Sequence, residues 1–157
     1  VVIYNKKLDV WGPGSHAGTF RGNQLAMAAG TVVMKRISKP EFLADVVRKG
    51  ELFKNRLLAL QKECPIIGDV RGKGLMLGIE FVDPNGEKDL MGHPLESGTV
   101  CARVQKECFE HGLVMEKGGR YGSVMRCLTA LNISDEDLLK GIEIFEKVVR
   151  SVNKDYV

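Results

Sequence analysis

No apolar run in the sequence approaches the roughly 18 residues that a membrane-spanning helix requires, so the chain is expected to be soluble. Charge of one sign is also missing. Lys and Arg number 23 against 20 Asp and Glu, for a net charge of +3, and the two signs are interspersed. No basic stripe for nucleic acid results. The cysteines, Cys64, Cys101, Cys108 and Cys127, have neither Cys-x-x-Cys spacing nor the density of a disulfide scaffold. They suggest no zinc site and fit reduced thiols in a cytoplasm. An initiator methionine is absent as well. Val1-Val2-Ile3-Tyr4 carries no signal-peptide n-region and reads as a short buried β-strand. A lone strand needs sheet partners, so the chain is expected to begin inside a longer protein. Internal repeats and low-complexity tracts are lacking too.

What is present belongs to an ordinary globular protein: 157 residues, 44% hydrophobic and 27% charged, enough for one good core plus an extension. After Val1 to Tyr4, Asn5-Lys6-Lys7 reads as a polar turn. A helix is predicted from Asn23 to about Ile37, rich in small residues, and Ser38-Lys39-Pro40-Glu41 has the spacing of a capping box for a second one. On that helix Leu43, Val46, Val47, Phe53, Leu57 and Leu60 make one apolar face, ended by Pro65. Residues 66–82 predict a hairpin turning at Arg71 to Gly74, with Leu75, Leu77, Ile79 and Phe81 on one face. Gly72-Lys73-Gly74 precedes a strand and not a helix, which removes the dinucleotide fingerprint. A polar loop with His93 leads to a helix from about Ser97 that should stop at Gly112 with a left-handed cap beside His111. Neither histidine has support for a catalytic role. Two strands follow, Leu113 to Glu116 and Ser123 to Leu128, around a mobile-looking loop. A last helix is capped at Ser134 and carries Leu138, Leu139, Ile142, Phe145, Val148 and Val149, with fraying expected from Ser151.

Two stretches carry chemistry. In His16-Ala17-Gly18-Thr19-Phe20-Arg21-Gly22-Asn23 a turn rich in glycine and hydroxyl runs into a helix, a layout suited to phosphate because first-turn N–H groups lack partners and carry the positive end of the dipole. A tight helix entry with close packing would look the same. In the second stretch, Arg126 shares its strand face with Val124 and Leu128. An arginine on an apolar face needs an anion, because an unpaired buried charge costs several kcal/mol. It is either a bidentate clamp for a substrate carboxylate or a residue that snorkels or pairs with an internal acid.

The wording from Asp9 to Ala26 resembles the second half of a class III (omega) aminotransferase, and its diaminobutyrate–2-oxoglutarate branch most of all. Arg71-Gly72-Lys73-Gly74-Leu75-Met76-Leu77-Gly78 is a further phrase of that family. The resemblance implies an α/β fold: the C-terminal part of the fold-type I pyridoxal-phosphate transferase fold, with residues 1–38 ending the large cofactor domain and 39–157 forming a small α+β domain. It implies pyridoxal 5′-phosphate as cofactor and a homodimer in which Thr19, flanked by Gly18, reaches the phosphate bound mainly by the other subunit. It assigns Arg126 to the substrate carboxylate or a gating glutamate. The prolines usual after that arginine are replaced by Thr129 and Ala130.

Transamination requires a lysine that holds the cofactor as a Schiff base and an acid at its pyridine nitrogen. In the family both precede the threonine motif, so here they fall upstream of Val1. Lys6 and Lys7 sit in a polar turn and would be solvated, not activated. The reading is therefore an aminotransferase using 2,4-diaminobutyrate or a similar ω-amino acid with 2-oxoglutarate, of which this chain is an inactive C-terminal portion, without a catalytic residue or a metal site of its own. A non-catalytic oligomerisation or ligand-binding module, and more weakly a nucleotide-binding module built on the Thr19 turn, are the alternatives.

Overall fold

The computed structural model describes residues 3–157, which fall into two compact units, Val1–Pro40 and Glu41–Val157. Val1 and Val2, half of the expected first strand, lie outside the described residues. Ile3 and Tyr4 are not in a strand: both are irregular and exposed. A 3-10 turn at Lys6–Leu8 follows, started by the Asn5 side chain accepting from the Lys7 N–H. In this first unit the one long element is α1 (Gln24–Ile37), none of whose residues is buried.

Helix α2 (Pro40–Glu63) opens on its proline, the position where a missing N–H costs nothing. The expected capping box does not form. Ser38 has helical dihedrals and closes α1 instead, its hydroxyl donating back to the Met34 carbonyl at 2.7 Å. The apolar face of α2 is real in its second half, where Phe53, Leu57 and Leu60 are buried, but Leu43 and Val47 are 49% and 56% exposed.

The second unit is built on an antiparallel sheet of order β1-β2-β4-β3, with β1 at Ile67–Lys73, β2 at Met76–Phe81, β3 at Glu116–Gly118 and β4 at Val124–Leu128. The β1–β2 hairpin turns at Gly74-Leu75, later than expected, because Lys73 already pairs with Met76. Gly74 takes φ +56°, the sign that the first centre of a II′ turn demands. As predicted, Leu75, Leu77, Ile79 and Phe81 are buried together.

Helices α3 (Gly98–Glu110) and α4 (Asp135–Asn153) complete the core. Ser97 caps α3 through the Val100 N–H. Its far end is a Schellman closure: Gly112 at φ +81°, the Gly112 N–H on the Phe109 carbonyl and the Leu113 N–H on the Cys108 carbonyl. Ser134 caps α4 through the Asp137 N–H. That helix does not fray at Ser151: Val152 and Asn153 are buried, and the Asn153 carboxamide oxygen lies 3.5 Å from the Ile66 N–H. Phe53, Leu57 and Leu60 of α2 join Val100, Cys101, Val104 and Cys108 of α3, the inner strand residues, and Ile142, Phe145 and Val149 of α4 in one core.

Charge ties the helices together around it. Glu146 of α4, 9% exposed, takes both prongs of the Arg56 guanidinium at 2.7 and 2.9 Å and one prong of Arg150 at 3.3 Å. Arg56 holds its carboxyl below the usual range, with Arg150 adding to the effect. Lys49 is buried, its ammonium 2.6 Å from the Ile133 carbonyl and 2.6 Å from Asp45.

Three measurements test this packing. Because the folded pKa of Glu146 is depressed, its contribution is present above about pH 4 and is lost as pH falls through the lower folded value. Chemical denaturation of Glu146→Ala at pH 7 should read a loss of about 1–2 kcal/mol, the half-exposed arginines limiting the penalty, and the difference from the parent should shrink toward pH 3. Gly50→Ala should destabilise by about 1–3 kcal/mol although alanine is the better helix former, because its Cβ would stand 2.4 Å from the Gly74 carbonyl oxygen. Burial pushes the thiols up, to about 11 at Cys101 and about 12 at Cys108 and Cys127, so a thiol reagent at pH 8 should react with none of them until the chain is unfolded.

Candidate functional site

The turn that carries Gly18 and Thr19 belongs to the first unit. It is closed by the Arg21 N–H on the Gly18 carbonyl at 3.3 Å, and the Arg21 guanidinium donates to the His16 carbonyl. Gly22 has φ +71°, a left-handed conformation that favours glycine. Asn23 then caps α1, its side-chain oxygen accepting from the Ala26 N–H at 3.0 Å, so the start of the helix is satisfied from within. Gly18 has neither a positive φ nor a crowded Cβ position, the nearest atom being Arg21 Cγ at 3.7 Å. Its role as a glycine is therefore not imposed by this turn. Thr19 is exposed and its hydroxyl engages nothing among the described residues. An unengaged hydroxyl on an exposed, glycine-flanked turn fits a phosphate oxygen. Beside the turn, Trp11 and His16 meet edge to face with ring centres 5.6 Å apart, and both line a cavity of about 740 Å³ with Tyr4, Leu8, Arg21 and Met27.

Arg126 lies in the second unit, at the centre of β4. The expectation that it shares a face with Val124 and Leu128 holds, but that face is not the core. Met125 and Cys127 point inward, 0% and 4% exposed, while Leu128 is 59% exposed and Val124, though only 9% exposed, is not part of the core cluster. The sheet is covered by helices on one side, and strand alternation places Arg126 on the other. Its partner is Glu116, directly opposite on β3, with Nη2 2.5 Å from Oε1. Both side chains are about half exposed. This is an open ion pair and not a buried charge, so the burial argument for a bound anion does not apply. Arg126 is also among the residues, with Glu116, Cys127, Leu128 and Leu138, that line a cavity of about 470 Å³ at this end of the sheet.

The sequence alone reads Leu113 to Glu116 as a strand and the next residues as loop, which leaves Glu116 without a cross-strand partner. The strand runs three residues, Glu116–Gly118, while Leu113 to Met115 are irregular. The usable signal was symmetry: Glu116 and Arg126 stand equally far from Tyr121, as a hairpin through Gly119 and Gly122 requires.

Among the described residues, no group of three or more His, Cys, Asp or Glu side chains could hold a metal ion, and no helix is long and apolar enough to cross a membrane.

Comparison with known proteins gives this geometry a family. Residues 1–149 match the aminotransferase class-III family. A diaminobutyrate–2-oxoglutarate aminotransferase of Rhizobium meliloti is 46% identical over 88% of this chain and 29% of its own length, and one of Haemophilus influenzae is 42% identical over 96% of this chain and 35% of its own. The chain thus spans about a third of these relatives. Among solved structures, an aminotransferase of Bacillus anthracis superposes with a TM-score of 0.72 at 28% identity, over 87% of this chain and 30% of that one. An acetylornithine aminotransferase of Elizabethkingia anophelis gives 0.69 at 27%, over 91% and 34%. The four-stranded sheet and its helices are an α/β piece of the fold-type I architecture, and the chain belongs to the class III aminotransferases, a family whose cofactor is pyridoxal 5′-phosphate.

Proposed function

We propose that this chain is the C-terminal portion of an enzyme that moves an amino group from a diamino acid, 2,4-diaminobutyrate, to 2-oxoglutarate. The observation that carries this reading is the 46% and 42% identity, over nearly the whole chain, to two proteins named for that reaction. The cofactor supplies the electron sink for the transfer. Thr19 donates its free hydroxyl to the cofactor phosphate, and Gly18 leaves the turn's backbone accessible beside it. Arg126 takes a substrate carboxylate through the planar fork that suits two oxygens at once.

The protein works as a homodimer whose cofactor site draws on both subunits. Apolar residues of α1 are open, with Leu25 82%, Val32 67% and Met34 59% exposed, a surface for the remainder of the enzyme, its own large domain or the partner subunit, to cover. A cytoplasmic location suits four cysteines that are all free thiols. The lysine that binds the cofactor lies upstream of Val1, so residues 1–157 alone are inactive.

The test takes the longest natural product of this reading frame, adds pyridoxal phosphate, and follows glutamate formation from 2,4-diaminobutyrate and 2-oxoglutarate. Borohydride reduction should leave a pyridoxyl mass on a lysine upstream of Val1, and Thr19→Ala should weaken cofactor binding by at least about tenfold, as expected for a lost hydrogen bond to a charged group. Glutamate formation by residues 1–157 alone, or no specific adduct on the natural product, would overturn the proposal.

A further inference from the structure

Strand β3 is three residues long, and two of them converge on one side chain of its neighbour. Glu116 faces Arg126 directly in the ladder and pairs with its Nη2. Gly118 pairs with Val124, which makes it the diagonal neighbour of Arg126 on the same face. A Cβ built on Gly118 would lie 3.0 Å from Arg126 Nε and 3.4 Å from Cζ, and its three nearest atoms all belong to that side chain. The guanidinium is therefore laid across the bare backbone of Gly118. Conformation does not explain this glycine: its φ is not positive, and the left-handed residues of the turn are Gly119, at +80°, and Gly122, at +65°. What Gly118 provides is room for the arginine.

We propose that Glu116 and Gly118 are positioning residues for Arg126, one anchoring a prong of its guanidinium and the other supplying the floor on which it rests. This rests on the reading of Arg126 as the substrate-carboxylate residue. Among the described residues, Nη2 is the one donor of the fork that is engaged, so the remaining N–H groups are left for an incoming carboxylate. A long side chain ordered before binding loses less freedom when the ligand arrives. Glu116 also repels an anion, and the variants are chosen to separate its two effects.

The experiment uses the holoenzyme that contains this chain, with two readouts. The first is the rate at which phenylglyoxal labels Arg126, followed by peptide mass spectrometry without turnover. The second is KM for 2-oxoglutarate. Glu116→Ala and Gly118→Ala should each speed labelling and raise KM about three- to fivefold, the range of an exposed ion pair. Glu116→Gln, whose amide oxygen still accepts from Nη2, should stay within about twofold of the parent. Unchanged labelling in both alanine variants overturns the positioning role. So does a fall in KM for Glu116→Ala and Glu116→Gln alike, since Glu116 would then only compete with substrate. Arg126→Lys is the separate control: if it leaves KM untouched, the reading of Arg126 as the carboxylate residue is what fails, whatever the labelling gives.

Discussion

The period of two along a strand, imposed on a sheet covered from one side, is the constraint on which the second unit depends. Leu77, Ile79, Phe81, Met125 and Cys127 occupy one parity and are all buried. The other parity carries Asp69 and Arg71 on β1, Glu80 on β2, Arg126 on β4 and Glu116 on β3, linked as Arg71 with Asp69 and Glu80, and Arg126 with Glu116. Since a slip of one residue would exchange these sets, packing the core also fixes which face receives the charges. Register does the rest: Gly78 pairs with Arg71 on one side and Arg126 on the other, so two arginines flank a position with no side chain of its own.

The two units differ in what holds them. The second buries a contiguous core from three helices and a sheet, and its helix ends are closed by their own sequence, at Ser97, Gly112 and Ser134. Among the described residues of the first, none is buried, in α1 or elsewhere. Its order is local: the Asn5 and Asn23 caps, the bond from the Tyr4 hydroxyl to Asp9 at 2.9 Å, and a left-handed Gly22. Local caps contribute about 1 kcal/mol each and do not replace hydrophobic burial.

This difference also explains what could be read from the sequence. Helices with an apolar stripe and a cap had starts legible almost to the residue, as at Ser97 and Ser134, and α1 was legible from its Asn23 start without such a stripe. The misreadings lie where a neighbour decides. Ser38 could cap forward or close backward, and the preceding turn of α1 took it. The hairpin turn was expected at Arg71 to Gly74, and pairing of Lys73 with Met76 moves it two residues on. Leu113 to Met115 look like a strand but depart from the sheet: the Leu113 N–H serves the Schellman closure of α3, and the Gln105 side chain donates to the Met115 carbonyl at 2.9 Å. Most consequentially, the apolar residues beside Arg126 said nothing about which side of the sheet the helices cover. The threonine turn and the arginine strand were visible in the sequence, whereas Glu116 showed only as a position symmetric with Arg126 about Tyr121 and Gly118 needs the β3–β4 register.

After Arg126 stand Thr129 and Ala130, where the resemblance to the family leads one to expect two prolines, each of whose rings would fix its own φ. Other contacts supply the rigidity here. Pairing with β2 continues as far as Leu128 opposite Met76. The Thr129 hydroxyl reaches the Leu75 carbonyl at 3.5 Å, at the long end for a hydrogen bond. The Ile133 N–H closes a turn on the Ala130 carbonyl at 3.0 Å. The Ile133 carbonyl in turn accepts from buried Lys49, whose ammonium also meets Asp45, while Arg48 bridges Asp45 to Asp135 at the head of α4. Of these, the Lys49 contact is the strongest, being short, charge-assisted and shielded from water. Strand pairing before this pair and a buried ammonium after it hold the segment at both ends, so the backbone carrying Arg126 is fixed by tertiary contacts in place of the proline rings.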